Sequence, residues 1–547
     1  MGQLDSDSEA EDVAGSSDMP RTYRESISIE RPTFENKVLE AVGQFGPYQR
    51  WIFAILTLVD MPAGMSMLYF IFANANPGTR CRLYQDNVTY DNNFTIGGDI
   101  ACEVNGSKCI EYEYSDEYTS IITEWDLVCD YNFIPKLTIS IQFVGLIIGA
   151  GVSAQIADLY GRKKVIVTVC CMMILAQTLV GCSSSWVVYA VMRFFVGLFA
   201  GGALSLSFVM PMEFVGPKWR AFCGLLGSYS VGHALMCLVA YLTRDWRHLS
   251  FITGSLFAPL LLAIIFFVPE SPRWLIQKGR FDEAEAIIRK IAKFNRRDPP
   301  DMSVLKSICV LDEEEREAAS KLTYLDLFKT KELAIRSFVV MFITFSCSEM
   351  YYGIIVAIST YTGSVFLNAL ISALTVLPVN WVSIPITEWL GRKKMFLVSI
   401  CIGTGCMFLI IILNATGHVD NHPKIVTGLA LFGKAAMTST WSVVGICMIE
   451  TYPTLMRTLV SGASSVSGRV GGMIAPQFAY LGVVSHWIIP YIIHGCLALA
   501  SLILELIFLP ETNDLPLPEY NPRKRRMTIY EEETAMRQMV DRKKSEL

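Results

Sequence analysis

Charge is scarce in this chain: 18% of its 547 residues are Asp, Glu, Lys or Arg, where a soluble domain carries about a quarter. The shortage is local, because charges crowd into the first fifty residues, two large loops and the tail. Between them run nearly uncharged stretches, and about 20 apolar residues suffice for a helix to cross a bilayer core. Histidine is also rare, with six in all and no His-Glu-x-x-His pair, so a metal enzyme lacks its ligands and no metal site or cofactor is expected. The chain has no Walker-type lysine loop, which removes ATP-driven pumping, and no nucleophile–base constellation, which removes an embedded enzyme. Gly145-x3-Gly149-x-Gly151 lies inside an apolar segment with no strand before it, and close helix packing explains it better than nucleotide binding. The net charge of −5 offers no surface for nucleic acid. Residues 1–50 start acidic and Ser-rich and lack a secretory leader. The first apolar segment, Trp51 to Ala75, then reads as a signal anchor.

What is present is a series of twelve apolar segments, near 51–75, 134–157, 165–181, 187–210, 222–241, 250–268, 335–356, 364–387, 395–413, 425–449, 459–484 and 487–509. An even number puts both termini on one side. Arg162-Lys163-Lys164, Arg220, Arg392-Lys393-Lys394, Arg457 and Arg523-Lys524-Arg525-Arg526 fall on that same side. By the positive-inside bias that side is the cytosol. The expectation is an all-α membrane protein with a cytosolic segment 1–50, six helices over 51–268 with a large outer loop 76–133, a cytosolic linker 269–334, six helices over 335–509 and a cytosolic tail 510–547. In the tail, Arg525-Arg526-Met527-Thr528 suits a basophilic kinase.

The outer loop agrees with its side. It holds three acceptor sequons, at Asn87, Asn93 and Asn105, and four cysteines, Cys81, Cys102, Cys109 and Cys129. Four cysteines in an oxidising compartment imply two disulfides, with three connectivities open. The other eleven cysteines lie mostly in spans and read as packing residues. In the linker, Phe281 to Asn295 reads as an amphipathic helix with Ala284, Ile287, Ile288 and Ile291 on one face.

The chain also repeats itself at about 240 residues. Asp158-Leu159-Tyr160-Gly161-Arg162-Lys163-Lys164 follows the second span, and Glu388-Trp389-Leu390-Gly391-Arg392-Lys393-Lys394 the eighth. Glu213 precedes Arg220 by seven residues after the fourth span, and Glu450 precedes Arg457 by seven after the tenth. Pro269-Glu270-Ser271 closes the sixth span and Pro510-Glu511-Thr512 the twelfth. Basic residues alone would serve orientation. Carboxylates at fixed spacing beside them suggest a latch of charge-assisted hydrogen bonds that holds the two halves together on the cytosolic side.

These residues resemble the major facilitator superfamily loop motif Gly-x-x-x-Asp-x-x-Gly-Arg-Lys/Arg, with Ala154 at its first position and Leu159 after the acid. Over nearly its whole length the chain is similar to the organic cation/anion/zwitterion transporter family, solute carrier family 22. The similarity rests on Gly46-Pro47-Tyr48-Gln49-Arg50, the Cys-rich outer loop, Glu124-Trp125-Asp126-Leu127-Val128-Cys129 and Met212-Glu213-Phe214-Val215-Gly216-Pro217. Asp245-Trp246-Arg247, Glu270-Ser271-Pro272-Arg273-Trp274-Leu275 and Glu450-Thr451-Tyr452-Pro453-Thr454 add to it. The resemblance implies two pseudo-symmetric six-helix bundles around a midplane cavity, working by alternating access as a monomeric unit in the plasma membrane.

Three ionisable residues inside spans stand out: Arg469 in the eleventh, Glu349 in the seventh and Glu505 near the end of the twelfth, where snorkelling suffices. Arg469 and Glu349 are expected to supply a base and an acid to the cavity, or else to neutralise each other. The family position matching Arg469 is acidic in the best-known cation carriers and basic in anion and carnitine-type carriers, so the resemblance implies a substrate with an anionic group. It further implies an aromatic cavity of Tyr229, Tyr351, Tyr352 and Trp441, with Asn380 where anion exchangers carry Lys. Arg193 and Lys434 read as structural or gating residues. The expected cargo is a small organic ion, a carnitine-like zwitterion or an organic anion. A polyspecific cation carrier using Glu349, and more distantly a sensor on a carrier fold, are the alternatives. Coupling to an ion is open.

Overall fold

The computed structural model describes residues 38–509 and Glu511, apart from 83, 86–87, 90–101, 105–106, 110, 217–218, 220–227, 302–322, 420–421 and 453. Asn87, Asn93, Asn105, Arg220 and Thr528 lie outside the described residues.

Twelve long helices carry the fold. The first six are α1 (Pro47–Ala73, in three segments), α2 (Phe133–Tyr160), α3 (Arg162–Val180), α4 (Trp186–Met212), α5 (Ser228–Thr243) and α6 (Trp246–Phe267). The second six are α7 (Lys331–Thr360), α8 (Val365–Leu390), α9 (Arg392–Ala415), α10 (Pro423–Thr451), α11 (Thr454–Val484) and α12 (Ile489–Phe508). Among the described residues ten of these are long and apolar enough to cross a membrane. The exceptions are α5, apolar but with 16 described residues, and α11, which carries Arg469.

Small residues set the packing. Lipid tails are as apolar as leucine, so helices in a membrane associate where backbones can approach closely. Gly145 and Gly149 of α2 abut the backbone at Phe194 and Leu198 of α4, while Gly197 and Gly201 of α4 abut Gln142 and Leu146 of α2. Gly151, the third member of that glycine run, has nothing within 4 Å of where a Cβ would stand.

The sequence repeat is a structural repeat. Helix α3 starts at Gly161 with φ +111°, and α9 starts at Gly391 with φ +94°, a region that L side chains avoid. In the first half the Glu270 carboxylate accepts the Lys163 N–H at 3.0 Å; in the second the Glu511 carboxylate accepts the Arg392 N–H at 3.0 Å. Each carboxylate thus satisfies unpaired donors at a helix N-terminus, where the helix dipole favours negative charge.

On one face lies the loop between α1 and α2. Its disulfides join Cys81 to Cys109 and Cys102 to Cys129. Thr79–Arg82 pairs antiparallel with Glu111–Tyr114, with two shorter ribbons between. The helix Ile121–Trp125 docks the loop on the first bundle. Glu124 pairs with the Arg247 guanidinium, which also donates to the carbonyls of Gly181 at 2.5 Å and Ser183 at 2.6 Å. Trp125 meets Trp246 edge-on at 5.5 Å. Burial pushes the Asp245 carboxyl up, but the His248 N–H and Thr119 hydroxyl that it accepts hold it below the usual carboxylate range. We call this the disulfide face; Gly161 and Gly391 mark the opposite, basic face.

Under the basic face the linker helix Phe281–Phe294 buries Ala284, Ile288 and Ile291, with Ile287 half-buried. Asn295 fastens it to the start of α1, accepting the Tyr48 N–H at 3.0 Å and donating to the Gln49 side chain at 2.7 Å.

Replacing Gly197 with Val drives a side chain into the Gln142 carbonyl and parts α2 from α4, an overpacking cost of about 1–3 kcal/mol. The expected result is a fall of several degrees in the thermal midpoint of the purified protein, while Gly151→Val leaves the midpoint unchanged.

Candidate functional site

Charges inside the membrane-spanning helices are mostly satisfied by the protein itself. Arg193 of α4 is 1% exposed; it donates to Gln177 at 3.1 Å, to the Ser66 carbonyl at 2.9 Å and to Gln142, and lies over the Tyr69 ring. Lys434 of α10 donates to the Ser372 carbonyl and hydroxyl at 2.7 and 2.6 Å and stands 4.6 Å from the Tyr351 ring centre. Both are cations held without a carboxylate, by neutral oxygens and an aromatic face.

Arg469 is different. It lies near the middle of α11, half-exposed, and makes no hydrogen bond or ion pair among the described residues. Gly468 beside it lets Trp441 come within 3.8 Å of where a Cβ would stand, and Gly472 admits the Phe143 ring at 2.5 Å and Tyr352 at 2.9 Å. The aromatic residues expected from the family resemblance do converge. Tyr351 meets Tyr352 at 5.1 Å and Trp441 at 6.4 Å, both edge-on, and Tyr352 meets Phe143 of the first half at 4.7 Å. The Tyr229 hydroxyl on α5 lies opposite that of Tyr352. Asn380 on α8 accepts from Ser442 at 3.4 Å. Tyr352 of this ring cluster lies near the Arg469 guanidinium, which has no carboxylate partner among the described residues.

Glu349 does not face Arg469, so neither the shared cavity nor the neutralised pair expected of them is formed. It is fully buried on the α12 side of α7, where its Oε2 lies 3.0 Å from His494 Nδ1. The reason is helical phase: Gly353, four residues on, shares that face, and its missing Cβ makes room for the His494 ring. Tyr351 and Tyr352 point elsewhere. Nor does Glu505 snorkel; it is 2% exposed and faces Cys447 and Lys393 inside the second bundle.

The acid that sequence reasoning missed is Asp60. It stands where α1 breaks between Thr57 and Asp60, partly exposed, and accepts the Ser207 hydroxyl of α4 at 2.5 Å. One turn on, Gly64 abuts the backbone and ring of Tyr229. A carboxylate inside the first apolar segment was itself the signal.

On the basic face the repeated motifs pair within each half rather than across halves. Arg162 bonds Asp158 at 2.6 Å and Glu213 at 3.3 Å, and Trp274 Nε1 donates to the Asp158 carbonyl at 3.1 Å. Arg392 bonds Glu450 at 3.2 Å, and Lys393 Nζ donates to the Leu509 carbonyl at 2.6 Å. Glu388 is exposed and makes no ion pair among the described residues; Arg457 donates to the Tyr452 carbonyl at 2.9 Å. These networks tie helix ends into one unit per half. The ion pairs of Arg162 and Arg392 with Glu213 and Glu450 thus lie within the halves rather than between them.

Contacts between the halves gather toward the disulfide face. Phe366 at the start of α8 stacks on Phe72 at 5.3 Å and takes Tyr118 and Tyr241 edge-on at 5.8 and 5.7 Å. Ser140 of α2 donates to the Met473 carbonyl of α11 at 2.7 Å, and Gln477 to Ser140 at 3.0 Å. The molecule is closed on that side.

Two bundles enclosing such a site define a membrane transporter of the major facilitator type. Residues 104–523 match the sugar (and other) transporter family. The organic cation transporter protein of Drosophila melanogaster is 31% identical over 519 residues, covering 88% of this chain and 93% of that one. The human organic cation/carnitine transporter 2 is 29% identical over 525 residues, covering 88% and 92%. Among solved structures, the partially occluded inward open conformation of the xylose transporter XylE from E. coli superposes with a TM-score of 0.61 at 17% identity, covering 85% of this chain and 98% of that one. The chain belongs to solute carrier family 22, the organic cation/anion/zwitterion transporter family. It is a multi-pass carrier, not an enzyme.

Truncating Phe366 to Ala removes the ring that three aromatic side chains of the first half grip. A loss of about 3–5 kcal/mol is expected for a buried Phe. It should appear as a lower thermal midpoint, and an unchanged midpoint would deny that the closure depends on this residue.

Proposed function

We propose that this carrier moves small organic ions bearing an anionic group, carnitine-like zwitterions first and organic anions second, by alternating access to a midplane cavity. One observation carries the reading: Arg469 lies mid-helix in α11, beside the ring of Tyr352, without a carboxylate partner among the described residues. A planar guanidinium offers a carboxylate two parallel hydrogen bonds. The rings of Tyr229, Tyr351, Tyr352 and Trp441 supply apolar area and faces for an ammonium group. Asp60, on the first-half side of the same space, is the acid suited to a zwitterion's positive end. The relatives named for organic cations and carnitine support this cargo class. A cation carrier that relies on Asp60 and the rings is the second reading, favoured by the partial exposure of that carboxylate.

In this reading the chain sits in the plasma membrane with the disulfide face outside and the basic face in the cytosol, as disulfide chemistry and the basic clusters favour. The conformation is then closed outward. The Arg162–Glu213 and Arg392–Glu450 networks would meet each other only when the cytosolic side closes.

Oocytes expressing the chain should take up labelled carnitine or an aromatic carboxylate better than a quaternary ammonium of similar size. Arg469→Asp is expected to invert that order, with at least a tenfold change in the ratio, about 1.4 kcal/mol. An unchanged order in Arg469→Asp would remove the guanidinium from the account.

A further inference from the structure

The geometry points to a proton-binding site formed by Glu349 of α7 and His494 of α12, which opens through the histidine onto a pocket on the disulfide face and couples proton movement to transport.

Both side chains are buried, with exposures of 0% and 4%, and His494 Nδ1 stands 3.0 Å from each carboxylate oxygen. Oε2 takes the hydrogen bond; Oε1 has no hydrogen-bond partner in its buried place. An acid removed from water in this way is costly unless it is neutralised, and intramembrane acid–histidine pairs are suited to relaying protons. His494 also forms part of the wall of a cavity of about 240 Å³. It is lined by the ends of α7 and α11 and the starts of α10 and α12 on the disulfide face, with Lys136, Thr362 and Trp487 in its wall. Deeper, Glu349 lies fully buried on the α12 side of α7, while Tyr351, two residues on, turns into the ring cluster. His494 therefore stands between the pocket and the buried carboxylate.

The step balances as a simple relay. With Glu349 ionised, neutral His494 donates its Nδ1–H to Oε2. A proton arriving from the pocket binds Nε2, the Nδ1 proton passes to Oε2, and neutral imidazole and neutral acid remain. The pair gains one proton and one unit of charge. The other titratable groups around it are Tyr351 and Tyr352 on α7, Lys434 on α10, Arg469 on α11, Tyr491 on α12, Cys406 on α9, and Tyr361 and Lys136 at the pocket. Lys434 is committed to Ser372, and the Arg469 guanidinium belongs to the cavity. Neither satisfies Glu349, and the histidine is its one hydrogen-bond partner among the described residues.

The binding of protons can be read without any cargo. Infrared pH-difference spectra of the purified full-length protein in lipid should show the carbonyl band of a protonated carboxylic acid growing in as the pH is lowered. Glu349→Gln should delete that band, Glu505→Gln should leave it, and His494→Gln should shift the pH at which it appears. Should Glu349→Gln not fold, the shift in His494→Gln decides alone. Superimposable spectra for the wild type and the folded variants would overturn the site. The coupling is tested by labelled carnitine uptake, and this arm rests on the proposed function. Wild-type uptake should change with external pH by up to about tenfold per unit, the ceiling for one titrating group, and Glu349→Gln should flatten the profile. Carnitine uptake with the same pH profile in Glu349→Gln would overturn the coupling. Absence of uptake of carnitine, an aromatic carboxylate and a quaternary ammonium would defeat the function reading and with it the coupling, and the spectra would still decide the site.

Discussion

A charge inside a bilayer must be hydrated, paired or wrapped in dipoles, and the way each one is handled divides this protein into frame and site. Arg193 and Lys434 are wrapped: side-chain and backbone oxygens and a tyrosine face surround each, and neither is left to meet a ligand. Glu349 is paired with His494. Arg469 has no ion pair or hydrogen bond among the described residues, only the neighbouring Tyr352 ring, and it is partly exposed. In the proposed function the anionic group of a substrate offsets the cost of holding this guanidinium in the membrane. The ring cluster and the helix glycines beside Arg469 would then line the same site.

The frame that presents it is a duplicated one. Each half turns from its second helix to its third at a glycine with positive φ, caps the new helix with a distant carboxylate, and binds the first arginine of that helix to the glutamate that ends its fourth. The two networks lie on the basic face and make each half stiff. Rigid halves are what alternating access requires, because small shifts at the centre must become large ones at the faces. On the disulfide face the joint is made of stacked and edge-on rings with two hydrogen bonds. Ring contacts of this kind release without leaving a buried charge behind, which suits a closure that has to open.

Much of this was legible in the residues alone. Twelve segments, the period between halves, the glycine turns and the basic clusters are all one-dimensional signals, and apolar length and fixed spacing carry them directly. Helix phase is not such a signal. Glu349 and Tyr351 are neighbours in sequence, yet one faces α12 and the other the ring cluster, because successive residues turn about 100° around a helix. The pairing of Arg162 with Glu213, and of Arg392 with Glu450, inside each half rather than between halves likewise depends on which conformation the molecule occupies. Asp60 was readable, as a lone acid in an apolar run, and its place at the break in α1 explains how it is tolerated: Ser207 donates to it. The Phe366 joint left no trace in the sequence, since one phenylalanine among thirty carries no mark.

The most direct measurement is equilibrium binding of carnitine and of its methyl ester to the purified protein and to Arg469→Gln. The two ligands differ in the carboxylate alone. If Arg469 holds that group, the acid binds the wild-type protein at least tenfold more tightly than the ester, about 1.4 kcal/mol, and the two become equal in Arg469→Gln. Equal binding of acid and ester by the wild-type protein would contradict the account.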